Sequence, residues 1–179
     1  MKKRIVFLVG ASGVGKTAVA ELLETRPPWR GRTQHSDSIG VPSAEEMVST
    51  MGSVEGWQEW MTSHWVECLS RESHPIQLFE GQTRPSFIRK ALERHPEVEP
   101  VIILLDCRPE VRKHRLFHFR GQADLANPDM DQWAAYLTGQ ADALGLTVID
   151  TSEIGLDEVA AGVEEVGLAG LGPVRSQSE

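Results

Sequence analysis

Apolar positions along this chain fall into short continuous runs, separated by stretches in which they recur at helical spacing. The first run, RIVFLV at 4–9, is rich in β-branched residues and reads as a strand buried on both faces. From Lys16 to Thr25, the positions Ala18, Val19, Leu22 and Leu23 keep helical spacing until Pro27-Pro28 ends it. A short second strand is expected to end near Asp37. Ser43 with Glu46 has the form of a capping box, so a helix should begin at Ser43. Gly52 interrupts it, and a longer helix should run from about Val54 to Arg71.

The runs IQLFEG at 76–81 and VIILLD at 101–106 read as the next two strands. Pro109 opens a charged helix, VRKHRLFHFR, and Asn127-Pro128 punctuates the chain before a helix from about Asp129 to Leu144. LTVID at 146–150 is the last strand, and Leu156 to Val166 is a closing helix. The stretch from 167 to 179 has no period and many small residues, so it is expected to be a flexible tail. Strands alternating with helices predict a parallel five-stranded sheet in a three-layer α/β/α fold, built as one domain over 1–166.

Composition leaves that picture intact. The chain has 179 residues, 40% of them apolar and 25% charged, as expected of a globular domain. A net charge of −8 argues against a role in coating DNA or RNA, though not against a local basic pocket. Cys68 and Cys107 stand far apart outside any Cys-x-x-Cys spacing and are expected to be buried, reduced thiols. The start, MKKRIVFLVG, has a basic end and an apolar run like a signal peptide, but it leads into a glycine loop carrying a lysine. With no stretch of roughly 20 apolar residues, a cytoplasmic location is expected.

That glycine loop carries the chemistry. Gly10-Ala11-Ser12-Gly13-Val14-Gly15-Lys16-Thr17 fits G-x-x-x-x-G-K-[ST] at every defined position, after an apolar strand and before a helix. Its glycines let successive N–H groups turn inward around phosphate oxygens, and the helix adds its positive end. Lys16 is expected at the β- and γ-phosphates of ATP, with its side chain too exposed to belong to the core. The Thr17 hydroxyl is expected on Mg²⁺.

Around it stand further candidates. Asp37 should close the second strand at the ligand end of the sheet, as proton acceptor and acceptor-binding group or as a water-mediated holder of magnesium, or else as a turn or helix cap. Glu80 ends the third strand and is placed to orient metal-bound water, while Arg84 four residues on can clamp a phosphate or carboxylate. The alternative is a surface ion pair between the two. Arg112, Arg115 and Arg120, with Lys113, crowd one helix and its exit, and are expected to form a lid over the phosphates at about 109–126. Trp57, Trp60, Met61 and Trp65 mark the long middle helix, as core or as the wall of an acceptor region spanning about 38–72. The histidines show no metal-ligand spacing.

Together these residues resemble the P-loop kinases of nucleosides, nucleotides and other small molecules. GASGVGKT is close to the loop of guanylate and gluconate kinases. EGQTR at 80–84 resembles the DGFPR segment of adenylate kinases, with Glu80 replacing the acid, Thr83 replacing the proline and Arg84 matching the acceptor-phosphate arginine. It also resembles the Glu-Arg-Ser segment of deoxynucleoside kinases. Asp37 occupies the place of the proposed base of chloramphenicol phosphotransferase. VIDTS at 148–152 is similar to a segment that borders the adenine, which implies that Asp150, Thr151 and Ser152 line the base pocket. The resemblance implies a γ-phosphate transfer from ATP to a small acceptor and leaves the individual family open. A nucleotide switch acting on a protein partner and a polynucleotide-end kinase are the alternatives.

Overall fold

The computed structural model of the chain describes residues 2–171. Five strands, β1 (Lys3–Val9), β2 (Thr33–His35), β3 (Ile76–Gly81), β4 (Val98–Asp106) and β5 (Thr147–Asp150), form one parallel sheet in the order β2-β3-β1-β4-β5. Seven α-helices lie among them in the described residues: α1 (Lys16–Glu24), α2 (Ala44–Met51), α3 (Val54–Arg71), α4 (Pro85–Leu92), α5 (Pro109–His118), α6 (Pro128–Leu144) and α7 (Leu156–Leu168).

The period of two along β1 divides the core into two layers. Val6 and Leu8, with Leu78 of β3 and Ile103 and Leu105 of β4, face α1 and α7. Ile5, Phe7 and Val9, with Phe79, Ile102 and Leu104, face α3, α4 and α6. A strand covered on both sides must be apolar throughout, which is why RIVFLV shows no alternation. The first layer includes Trp29, fully buried, whose indole N–H donates to Glu164 at 3.1 Å.

Four expectations change. Residues 82–97 carried no predicted element, yet they hold α4, which starts with Pro85 at its first turn, where proline fits the helix best. β4 begins at Val98 and runs through Pro100, tolerated because β5 pairs only from Ile103 onward. β2 stops at His35, and a 3-10 turn over Ser36–Ile39 takes up Asp37. Finally, α7 runs on to Leu168, and Arg4 ties the chain there through Nη1 to the carbonyls of Gly167 (3.2 Å) and Ala169 (2.5 Å). So 167–171 are docked, while the remainder of the expected tail lies outside the described residues. The capping box at Ser43 is present in full, and Cys68 is only half-buried whereas Cys107 is buried, both free.

Candidate active site

The P-loop joins β1 to α1 at the carboxyl end of the sheet. Gly13 adopts φ +87°, and a side chain there would come within 2.9 Å of Arg112 Cγ and 3.0 Å of Leu116 on α5. Glycine at this position therefore serves both the turn and the seating of the loop against α5. Lys16 lies at the first turn of α1 and, contrary to expectation, is buried at 8% exposure. Its Nζ donates to the Ala11 carbonyl at 3.0 Å. Burial lowers its pKa to about 8, opposed by the charge of Glu80 and assisted by Arg120, with Asp37 also acting to raise it. Four charged groups thus converge on the loop.

Among the described residues Glu80 is the one buried carboxylate, at 5% exposure. It stands opposite His35 in the β2–β3 register, and its Oε1 meets His35 Nδ1 at 2.8 Å and Thr17 Oγ1 at 3.4 Å. Sequence reading gave His35 no role, since strand register cannot be seen in a single stretch of chain. Asp37, two residues on, is exposed, and its carboxylate forms no hydrogen bond or ion pair among the described residues. Gln82 follows β3 and accepts from Ser12 Oγ at 2.9 Å, linking the P-loop to the β3–α4 turn.

Two cavities open on either side of this group. The larger, about 840 Å³, is lined by P-loop residues Gly13 to Thr17 in part, by Arg115, Phe119 and Thr151, and by an apolar floor of Ile154, Leu156 and Val159. The second, about 460 Å³, is lined by Lys16, Thr17, Asp37 and Glu80 at one end and by Val41, Met47, Val54, Trp57 and Met61 along the rest. Gly13, Gly15, Thr17 and Arg120 belong to the walls of both.

No family model matches the chain, and neither does any curated protein. Solved structures do. A shikimate kinase from Acinetobacter baumannii, in complex with shikimate, is similar over 92% of this chain and 92% of that one, at 18% identity and a TM-score of 0.61. A gluconokinase from Sinorhizobium meliloti 1021 is similar over 93% and 94%, at 18% identity and a TM-score of 0.60. A sugar kinase from Janibacter sp. HTCC2649 gives 93% and 94%, 18% identity and 0.58. The chain shares the fold of these solved kinases. At such identity the likeness carries architecture, and the chemistry has to be read from this chain's own residues.

Set on that fold, the candidates separate. Arg120, just past α5, donates to Thr17 Oγ1 at 3.4 Å and to Gln122 at 3.1 Å, facing both cavities. Arg115 lines the larger cavity, its guanidinium bonded to the Thr151 hydroxyl (2.8 Å) and carbonyl (2.6 Å). Arg112 does not reach either cavity. It is 2% exposed and bonds to the Cys107 carbonyl and to Asp131 on α6, because α5 turns this side chain into the protein. Of Asp150, Thr151 and Ser152 at the end of β5 only Thr151 lines the larger cavity; the Asp150 carboxylate accepts from Ser152 N at 2.8 Å and Ser152 Oγ accepts from Arg108 N at 2.9 Å.

Arg84 likewise falls outside the smaller cavity. It donates through Nη1 to Gln58 Oε1, and its guanidinium carbon lies 5.2, 5.0 and 5.4 Å from the ring centres of Phe87, Trp133 and Tyr136. The alternative, an ion pair between Arg84 and Glu80, does not form, since Glu80 points to Thr17 and Arg84 pairs with Glu55 at 3.6 Å. On α3 the aromatics part company: Trp57 lines the cavity, Trp65 is core, and Trp60 is 45% exposed and stacks on His64. Gln58, Gln82 and Gln122 complete the cavity wall and had no sequence signal to mark them.

Among the described residues no three or more histidine, cysteine or acidic side chains gather as a metal cluster. One hydroxyl beside one buried carboxylate is the donor set that suits a magnesium ion arriving with a triphosphate. No helix of the described residues is long and apolar enough to cross a membrane.

Proposed function

We propose that this chain is an ATP-dependent kinase that transfers the γ-phosphate to a hydroxyl or phosphate of a small molecule. The observation that carries this reading is the shared wall: Thr17 and Arg120 border both cavities, so a donor in one and an acceptor in the other meet at the P-loop. The larger cavity takes the nucleotide, with its base over the apolar floor and Thr151, and its phosphates under the loop N–H groups. Lys16 neutralises charge on the β- and γ-phosphates, and Arg120 stabilises charge on the group in flight.

Magnesium bound with the triphosphate would be held by Thr17 and supplies further neutralisation, with Glu80 orienting its water. For a hydroxyl acceptor, the acceptor oxygen forms a bond to the γ-phosphorus as the bond to the β-phosphate oxygen breaks. ADP leaves, and the hydroxyl proton passes to Asp37. Asp37 suits that role better than Glu80, whose Oε1 is already engaged by His35 and Thr17.

Stretch 109–126 acts in this reading as a lid, but only its outer part is free to move. Arg112 and Leu116 anchor α5 in the protein, whereas Phe117 to Gly121 are exposed. The testing experiment is ADP release with Mg²⁺·ATP across nucleosides, nucleotides and hydroxyl compounds. Acceptor-stimulated ADP release, lost in Lys16→Ala, is expected. ATP hydrolysis indifferent to every acceptor would overturn the reading.

A further inference from the structure

The smaller cavity distributes its charges unevenly. Among the described residues its charged wall groups are Lys16, Arg120, Asp37 and Glu80; Lys16 adjoins Thr17 in the loop, and the Thr17 hydroxyl is 3.4 Å from both Glu80 Oε1 and Arg120 Nη1. The rest of the wall is uncharged: apolar at Val41, Met47, Val54, Trp57 and Met61, with the hydroxyls of Ser12, Thr17 and Ser36 and the amides of Gln58, Gln82 and Gln122 among them. A carboxylate or phosphate on the bound molecule needs a cation of its own when it leaves water. Both cations here are committed to the triphosphate, and an added anion beside them would also meet Asp37 and Glu80.

Arg84 stands behind Gln58 and does not line the cavity. Its guanidinium is enclosed by three aromatic rings and by Glu55, and its Nη1 is spent on Gln58. Gln58 is the residue that faces the cavity, with its own Nε2 donated to the Gln82 carbonyl at 2.9 Å. What the bound molecule meets on that side is therefore a neutral amide, already bonded through both its nitrogen and its oxygen, together with Trp57. A cavity of about 460 Å³ lies within the size range of small-molecule sites.

We propose that this cavity takes an uncharged hydroxyl compound with an aromatic or alicyclic body, and discriminates against carboxylates and phosphates. The proposal rests on the kinase reading for the reacting hydroxyl, while the charge preference needs only that a bound triphosphate occupies Lys16 and Arg120. The probes are benzyl alcohols bearing a para carboxamide, carboxylate or phosphonate group. Each is titrated by saturation-transfer NMR against protein saturated with Mg²⁺ and a non-hydrolysable ATP analogue.

The carboxamide is expected to bind at least about tenfold more tightly than either anion, in keeping with an unpaired charge in a partly desolvated site. Trp57→Ala should weaken it. Val41→Arg places a cation in the wall at a residue 62% exposed, where folding is not at stake, and should shift the preference toward the carboxylate. Equal or tighter binding of the carboxylate or phosphonate by the native chain overturns the proposal, as does failure of the carboxamide to bind at millimolar concentration. Replacing the analogue with ATP then separates the two ideas. Carboxamide binding without ADP release would sink the kinase reading and leave the charge preference in place.

Discussion

Thr17 and Glu80 meet beneath the P-loop, with Oγ1 of the first 3.4 Å from Oε1 of the second. That spacing suits two groups acting on one hydrated ion, and the 2.8 Å contact from His35 holds the carboxylate to its place. Glu80→Gln should therefore raise the magnesium concentration needed for half-maximal turnover by several-fold, on the order of 10-fold or more, with ATP affinity in excess magnesium less affected. A magnesium titration of kcat is the measurement; an unchanged half-saturation point would remove Glu80 from the metal's surroundings.

Asp37 carries a different expectation, because its carboxylate is exposed at the cavity and has no partner among the described residues. With a hydroxyl acceptor, Asp37→Asn should lower kcat by roughly 10²–10⁴-fold at saturating substrates, with ATP affinity little changed. A fully active variant would assign the proton elsewhere.

The buried Lys16 predicts a pH signature with two opposite signs. Its pKa of about 8 is below the ordinary 10.5, so the unfolded chain holds this proton to higher pH than the folded one. Fold stability from this group thus rises as pH climbs through about 8 toward 10.5. ATP affinity should fall over the same range, because the phosphates need the charged form. Kd by calorimetry and urea midpoints from pH 7 to 10, each referred to Lys16→Ala, test both signs. Parallel behaviour of the native chain and the variant would contradict them.

Hydrogen exchange with and without a non-hydrolysable ATP analogue should report the lid. New protection is expected from Phe117 through Ala126, and little change around Arg112 and Leu116, which are buried already. Equal exchange of 117–126 in both states would remove the lid.

Much of this was legible in the chain. RIVFLV and VIILLD announce central strands because both faces are covered, and GASGVGKT announces the phosphate loop because its backbone demands glycines at fixed places. Thr33–His35 has no apolar run, so its end was misjudged by two residues. PSFIRKAL buries Pro85, Ile88 and Ala91 at helical spacing, and Pro85 after Arg84 is a start signal, so α4 was legible in the sequence although no element is predicted there. The roles of Arg84 and Arg112 were not legible. Each depends on which helix packs beside it: Trp133, Tyr136 and Asp131 all come from α6, more than fifteen residues further along the chain.

The most direct test of the account is ³¹P NMR of the protein with Mg²⁺·ATP and a mixture of small neutral alcohols. A new phosphomonoester resonance growing in step with ADP, absent from Lys16→Ala, is expected. ADP accompanied only by inorganic phosphate, at a rate the alcohols do not change, would contradict it.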